Sequence, residues 1–569
     1  MRGIAASDGI GIGKALIVKK PDLKVELHIV TDIEAEKGKL DRAVNETETQ
    51  LKKLEEVAKT QIGENEAKVF EAHQMILQDP EWMNNIIQII EEESCDVAYA
   101  TDKATRAFIQ IFEGIDDAYI KERVADLRDV SNRLLSILLG IPLIDYSLIN
   151  EDTVLVGRDF EPSDTVGFTN PFIKGFITEI GSASSHSAII AKTMGLPAVI
   201  GIPNASNQIE DGISIVIDGG TGEVFLDPDK DSLVKFEMKL KAQKIEIERL
   251  KMLISSKSIT LDGLEIEIAG NIANPKDATR VVENGGDGVG LFRSEFLFME
   301  RETAPTEEEQ FEAYKQAAEI LNGKPVIIRT LDAGGDKHVP YLNIAEEMNP
   351  FLGYRAIRIC LDREDLFQTQ LRALLRASKF GKIKIMFPMI ASFDEVIEAK
   401  QAVEKAKDDL RKMQIEFDEN IQIGIMIEVP SAAAIADLLA PEVDFMSIGT
   451  NDLTQYVMAA DRMNERLGRL NTTYQPAVIR MIHQTITACK NQGIMAGMCG
   501  EAAGDKLLIP LLLGMGLEEF SMSPTKILKS REIIRSLDAS KLGDLVANVL
   551  QAKTSDEVKA LLETFQGGL

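Results

Sequence analysis

The sequence predicts a multidomain α/β protein: an α/β domain interrupted by a helical bundle, a connecting helix, and a C-terminal (β/α)8 barrel. Three observations predict it. Eight short β-rich runs alternate with helical patterns over the last ~300 residues, which is the unit count of a (β/α)8 barrel. A long stretch of helical spacing, from Asp32 to Gly140, separates two strand-rich regions. A length of 569 residues exceeds what one hydrophobic core organises, and at roughly 150 residues per domain it suits about three or four.

The totals exclude several classes. A net charge of −28 argues against nucleic acid and against an anionic membrane surface; it suits a basic protein partner, or simply solubility. No apolar run reaches the ~18 residues a membrane span requires, so no membrane insertion is expected. Met1-Arg2-Gly3-Ile4-Ala5-Ala6 lacks the apolar core of a signal peptide. Cys95, Cys360, Cys489 and Cys499 are scattered without a CxxC pair, which indicates neither a disulfide framework nor a zinc site. The expected setting is cytoplasmic.

Along the chain, Gly9-Ile10-Gly11-Ile12-Gly13 invites a nucleotide-loop reading, but Lys14–Val18 is strand-like and no helix follows. A hairpin is expected instead. Leu40, Val44, Leu51 and Leu54 keep helical spacing, as do Ile120, Val124, Leu127, Leu134 and Leu138. Breaks at Asp79-Pro80 and Glu113-Gly114 divide this stretch into a small bundle of helices. Strands return from Thr153 to Leu226, with a turn at Asp218-Gly219-Gly220-Thr221-Gly222. Residues 1–20 and 144–228 are therefore expected to form one α/β domain, with 21–143 looped out of it. The charged stretch from Asp231 to Ile254, carrying Leu233, Phe236, Leu240 and Leu250, reads as a connecting helix within a linker at 229–258.

The barrel is expected over 259–569, its strands at Glu265–Asn271, Gly288–Arg293, Val326–Thr330, Ile383–Pro388, Ile421–Glu428, Val443–Ile448, Ile494–Cys499 and Glu518–Met522. Barrel active sites lie at the C-terminal strand ends. Arg293, Arg329, Glu428, Asn451 with Asp452, and Cys499 stand at or just beyond five of those ends. With Arg355 and Arg462 they describe a basic pocket in an acidic protein. Guanidinium forks suit carboxylate and phosphate, although each arginine could equally pair with a barrel Asp or Glu. Glu428 and Asp452 offer the hard oxygen ligands Mg²⁺ takes alongside phosphate and water. A small phosphorylated carboxylate fits that description. Cys499, between glycines, is either a proton donor to a developing enolate or a small buried hydrophobe.

One histidine sits apart from the barrel. His186, in Gly181-Ser182-Ala183-Ser184-Ser185-His186, falls where the β-rich run Gly175–Ile180 gives way to helix-forming residues that Gly195 and Pro197 terminate. Such a turn offers free backbone N–H groups to a phosphoryl anion; a helix-capping or surface role is the plain alternative.

These motifs carry a resemblance. Arg329-Thr330-Leu331-Asp332-Ala333-Gly334-Gly335-Asp336-Lys337, Asn349-Pro350-Phe351-Leu352-Gly353-Tyr354-Arg355-Ala356-Ile357-Arg358, Glu428-Val429-Pro430-Ser431 and Gly449-Thr450-Asn451-Asp452 resemble enzyme I of the bacterial phosphoenolpyruvate-dependent sugar phosphotransferase system. So do Gly290-Leu291-Phe292-Arg293-Ser294-Glu295 and Gly497-Met498-Cys499-Gly500-Glu501, and the match runs the full length. The resemblance implies that phosphoenolpyruvate and Mg²⁺ bind in the barrel and that His186, on a swivelling domain, takes the phosphoryl group. Arg293, Arg329, Arg355 and Arg462 would neutralise the substrate, Asn451 would orient it, and Glu428 and Asp452 would hold the metal. Cys499 would protonate the enolate to pyruvate. The phosphoryl group would pass to the carrier protein HPr, docked on the helical insertion, and the barrels would form a homodimer. His73, in the matching segment Phe70–Pro80, reads as structural. The chain departs from the family at Ser182 and Ser184, where a glycine and a threonine are usual, and at Gln475, where His precedes Pro-Ala-Val. A non-catalytic regulatory dimer is the reading those loop changes would favour.

Overall fold

The computed structural model describes residues 1–19, 23–61, 64–113, 118–181, 185–299, 301–334, 339–345 and 347–568. The chain divides into two compact units, Met1–Ile245 and Glu246–Leu569.

In the first unit, β1 (Ile4–Ser7), β2 (Ile10–Ile17), β3 (Thr153–Gly157), β4 (Ile173–Thr178), β5 (Ala198–Ile200), β6 (Ser214–Asp218) and β7 (Glu223–Leu226) form one sheet. Its order is β1-β5-β4-β3-β2-β6-β7. The central strand β3 is buried along its whole length, as an apolar run covered on both faces should be. β6 and β7 pair antiparallel across the Asp218–Glu223 turn, where the sequence places one. The hairpin expected at Gly9–Gly13 does not form. β1 pairs with β5, and β2 pairs with β3 and β6. The glycines serve a different purpose there. A Cβ on Gly11 would stand 2.5 Å from the Lys174 carbonyl oxygen, and one on Gly13 2.6 Å from that of Asp152. Bare backbone lets the neighbouring chain approach rather than reverse direction.

Between β2 and β3 lie α1 (Ile33–Gln61), α2 (Glu64–Leu77), α3 (Pro80–Glu93), α4 (Val97–Glu113) and α5 (Ala118–Leu139). They pack on a core that includes Leu51, Phe70, Trp82, Ile86, Ile90 and Leu134. Asp79 caps α3 by accepting from the Glu81 and Trp82 N–H groups, with Pro80 at the first helical position. His73 is wholly buried, its Nε2 3.2 Å from Asp126 Oδ1 and its ring edge-on to Phe70. On the same face of α5, Asp129 accepts from the Ser163 backbone N–H and hydroxyl at 3.2 and 2.7 Å. That pair ties the bundle to α6 (Pro162–Val166) of the sheet domain. Two further helices, α7 (His186–Met194) and α8 (Ala205–Gln208), complete this unit's named elements before the connecting helix α9 (Lys230–Lys251). Early in α9, Lys239 Nζ donates to Asp218 Oδ2 at 2.9 Å and Phe236 packs on Phe225.

The second unit is a closed parallel barrel. Its strands are β8 (Glu267–Ile272), β9 (Val289–Arg293), β10 (Val326–Arg329), β11 (Ile383–Phe387), β12 (Gln422–Ile427), β13 (Phe445–Ile448), β14 (Met495–Met498) and β15 (Glu519–Met522). Each pairs with the next, and β15 closes on β8. All eight fall inside or within a residue of the expected runs. Residues alternate across each strand. Leu291, Ile327, Met386, Met426 and Phe445 meet in one cluster, while Ile328, Ile385, Ile425 and Ile448 belong to a separate, larger core.

A single arginine fastens the approach to the barrel. Arg531 is fully buried and donates to Ser258 Oγ (2.9 Å) and to the carbonyls of Leu253 (3.1 Å), Ile254 (3.3 Å) and Gly285 (2.6 Å). Outside it, Arg249 Nη2 lies 2.6 Å from Glu532 and Lys529 Nζ 2.5 Å from Glu246. Arg531→Met would leave those carbonyls unpaired in a dry site. It is expected to destabilise the barrel by about 3 kcal/mol, read as a lower urea midpoint of the barrel's unfolding transition. An unchanged midpoint would show that the carbonyls find other partners.

Candidate active site at the barrel mouth

The C-terminal strand ends place most of the expected residues within one charged network. Arg293 and Arg329 are register partners at the ends of β9 and β10; Arg293 is exposed, and Arg329 is buried. The Arg329 fork is held at both nitrogens. Nη2 donates to Glu295 Oε1 at 2.5 Å, and Nη1 lies 2.8 Å from Asp332 Oδ2. The other oxygen of Asp332 accepts from Arg355 Nη2 at 2.7 Å. One carboxylate therefore binds two buried guanidinium groups. Burial alone would lower the Arg329 pKa, but Asp332, Glu295 and Glu428 together raise it, so its charge is permanent.

A second layer steers the arginines. Tyr456, on the helix Thr450–Met458, donates its hydroxyl to the Phe351 carbonyl at 2.5 Å and accepts from Arg355 Nη1 at 3.4 Å. The Phe351 ring stands 5.8 Å from the Arg355 guanidinium and 5.9 Å from that of Arg462, within reach of both as a cation–π plate. Arg462 Nη1 lies 3.4 Å from Asp452 Oδ1.

Glu428, just past β12, is buried and accepts from the Met389 N–H at 2.6 Å. Burial, reinforced by the negative charge of Asp452 and Asp332, raises its pKa, with Arg329 pulling the other way. Asp452 is buried with Oδ1 lacking a hydrogen bond. Two neighbouring carboxylates that repel each other fit a divalent cation. Among the described residues no group of three or more His, Cys, Asp and Glu forms a metal cage, so substrate oxygens and water would have to complete the shell. Backbone strain gathers here too. Met389 has φ +56° and Ala356, next to Arg355, has φ +53°, conformations a non-glycine residue holds only when its surroundings enforce them.

Cys499 follows β14 in the barrel interior, packed with Leu291, Ile327, Met386, Met426 and Phe445. Burial pushes its thiol up to about 12. It is a small buried side chain, as one of the two readings expects. Asn451 Oδ1 accepts weakly from the Glu501 N–H at 3.4 Å. Asn451 and Arg462 also line a cavity of about 480 Å³, with Thr454, Tyr474, Glu501 and Lys526.

In the first unit, His186 is the first residue of α7, with Ser185 at the N-cap and Gly195 closing the helix in the left-handed region. Its side chain lies outside the described residues, as do Ser182, Ala183 and Ser184, and Gly335, Asp336 and Lys337 of the RTLDAGGDK stretch. Gln475, where the family has His, donates its side-chain amide to the Arg469 carbonyl at 2.9 Å ahead of the helix Pro476–Gln492.

The sequence reading assigned no role to Glu295, Asp332, Phe351 and Tyr456. All four lie in the quoted motifs or within a few residues of them, and the i,i+3 spacing of Arg329 and Asp332 was the available signal.

Comparison with known proteins defines the class first. Residues 2–123, 149–222 and 248–539 match, in turn, the family descriptions PEP-utilising enzyme, N-terminal; PEP-utilising enzyme, mobile domain; and PEP-utilising enzyme, PEP-binding domain. The chain is 47% identical to the phosphoenolpyruvate-protein phosphotransferase of Staphylococcus carnosus (strain TM300), covering 99% of each. It is also 47% identical to that of Priestia megaterium, covering 98% of this chain and 97% of the relative. A solution NMR structure of Enzyme I (nEIt) is 33% identical over 43% of this chain and 99% of its own, at a TM-score of 0.39. The chain belongs to the phosphoenolpyruvate-protein phosphotransferase family.

Asp332→Asn would leave two buried guanidinium groups short of a counter-charge. It is expected to cost the barrel about 3–5 kcal/mol, measured by denaturant unfolding followed with a barrel-specific probe. A cost near zero would mean that Glu295 and Glu428 suffice to hold the arginines.

Proposed function

We propose that this chain transfers the phosphoryl group of phosphoenolpyruvate to its own His186 and then to the carrier protein HPr, releasing pyruvate, as the first step of sugar uptake. The observation that carries the reading is Asp332 orienting Arg329 and Arg355 beside Glu428 and Asp452. Positive forks at fixed positions next to hard oxygen ligands suit a substrate that is both phosphate and carboxylate. The names of the curated relatives point the same way.

In this reading Arg293, Arg329, Arg355 and Arg462 neutralise phosphate and carboxylate, and Asn451 orients the substrate. Glu428 and Asp452 hold Mg²⁺, which when bound would draw charge from the phosphate and enolate oxygens. The protein's share is positioning and charge neutralisation, the main sources of catalysis in phosphoryl transfer. His186 takes the phosphoryl group on an imidazole nitrogen at the start of α7, where free N–H groups favour an anion. Cys499 gives its proton to the enolate, which its high thiol pKa supports, because a proton donor must hold its proton until used.

The domains then have distinct tasks. Residues 1–20 with 144–228 carry the phosphohistidine and swivel about the linker at 229–258. The bundle at 21–143 receives HPr, and the barrel at 259–569 binds phosphoenolpyruvate and forms the homodimer. Among the described residues no helix is long and apolar enough to cross a membrane.

Incubation with ³²P-phosphoenolpyruvate and Mg²⁺ is expected to give acid-labile, base-stable label on the chain. His186→Ala abolishes it, EDTA prevents it, and added HPr removes it from the wild-type protein. Arg329→Lys, which keeps the charge but loses the fork, should lower the labelling kcat/KM by about 10²-fold. An unlabelled wild-type chain would leave only the regulatory reading.

A further inference from the structure

We propose that Gln370 is a positioning residue for phosphoryl transfer: its side-chain amide ties the Arg293–Glu295 segment to the Arg329–Asp332 segment from the helix layer, so that the arginines of the mouth meet substrate at a fixed separation. The inference rests on the proposed reading of the mouth as the phosphoenolpyruvate site.

The tie begins where the hydrogen-bond ladder of β10 runs out. The Thr330 N–H still donates to the Met386 carbonyl of β11 at 3.0 Å, but the next N–H, that of Leu331, donates to Gln370 Oε1 at 2.9 Å. Gln370 lies on the helix Glu364–Ala377. Its Nε2 donates to Ser294 Oγ at 3.1 Å and to the Tyr314 hydroxyl at 3.0 Å. A backbone N–H can only donate, so the amide oxygen must face Leu331 and the two amide protons must face the hydroxyls. Tyr314 donates in turn to Gln310 Oε1 at 3.3 Å, and Gln310 Nε2 to the Pro305 carbonyl at 3.2 Å. Ser294, Gln310, Tyr314, Leu331 and Gln370 are all buried. An apolar side chain would fill this position of the helix with no polar group of its own to satisfy. A buried polar network in which every member is satisfied fixes one arrangement of the elements it joins.

The joined elements are the two that carry the substrate-facing charges. Ser294 stands between Arg293 and Glu295, and Leu331 between Arg329 and Asp332. At the mouth the same two segments are tied by Arg329 Nη2 to Glu295 Oε1 at 2.5 Å. Gln370 is thus a second tie between the ends of β9 and β10, neutral where the first is ionic. One tie leaves a pivot, whereas two fix the angle between the segments. A neutral tie does this without altering the balance of charge around Arg329. Arg293 is exposed, so its place relative to Arg329 depends on how firmly its backbone is held.

The test uses the full chain with Mg²⁺, phosphoenolpyruvate and ¹⁴C-pyruvate, and measures kcat and KM for isotope exchange between the two, which needs no carrier protein. The urea midpoint of the barrel is read on the same samples. Gln370→Met, close to glutamine in size but without the amide, is expected to lower kcat about tenfold or more while KM for phosphoenolpyruvate changes by no more than about threefold. Ser294→Ala, which cuts the tie to β9 alone, should lower kcat by about threefold or more. Tyr314→Phe cuts the same network on the side away from the arginines; it should lower the midpoint while kcat stays within about twofold.

A purely structural amide gives a different pattern. Rates that follow the midpoint across the three variants, or Gln370→Met exchanging within about twofold of wild type, would overturn the proposal. If Gln370→Met fails to fold, Ser294→Ala against Tyr314→Phe decides in the same way. Arg329→Lys has already lost the fork that Gln370 aims, and in that background Gln370→Met should cost less than about threefold. A full tenfold loss there would show the amide acting elsewhere and end the proposal. A wild-type chain that exchanges no label would instead end the phosphoryl-transfer reading itself.

Discussion

Two arginines buried at the mouth of a barrel share one aspartate, and the rest of the site depends on that sharing. A buried guanidinium without a counter-charge is untenable. Asp332 gives one oxygen to each of Arg329 and Arg355. With Glu295 on the second nitrogen of Arg329, both forks are fixed in direction. Tyr456 and Phe351 complete the restraint from the neighbouring loop and helix. The restraints come from the protein's own groups, as electrostatic preorganisation requires.

That network also explains the strained backbone around it. Met389 and Ala356 occupy left-handed conformations beside Glu428 and Arg355, and the closed ring of eight strands supplies the rigidity to keep them there. Below the mouth the interior turns apolar, with Leu291, Met386, Met426 and Phe445 excluding water from Cys499. Deeper still, Glu519 sits in the room left by Gly290 and Gly497. The barrel thus grades from buried ion pairs at the mouth to a dry thiol and a buried carboxyl below. The connecting helix α9 is fastened within each unit separately, by Lys239 to Asp218 in one and by Arg249 to Glu532 in the other.

Much of the fold was legible from the chain. Every barrel strand was readable because each is a short β-rich run set between helical patterns, and the helical bundle because its apolar spacing is unmistakable between two strand-rich stretches. The Gly9–Gly13 hairpin was misread because glycine has two uses: it turns a chain, or it lets another chain come close, and only a partner strand reveals which. At the site, the residues with conspicuous chemistry were visible. Asp332, Glu295, Phe351 and Tyr456 were not, since an ion pair or a ring over a guanidinium has no one-dimensional signature. Glu519 was hidden for the same reason, a lone acid in a strand run being indistinguishable from a solvent-facing one.

The sequence by itself determined the elements: where strands and helices lie, that α7 opens at His186, and which charged groups end the barrel strands. Local propensity, periodicity and capping are short-range effects, and they are written in neighbouring residues. Only the tertiary structure decided the partnerships, namely that β1 pairs with β5, that Asp332 serves two arginines, and that Glu519 faces inward across a glycine. Those depend on closing a ring of strands and on which charges burial forces together, and both are set by residues up to hundreds of positions apart.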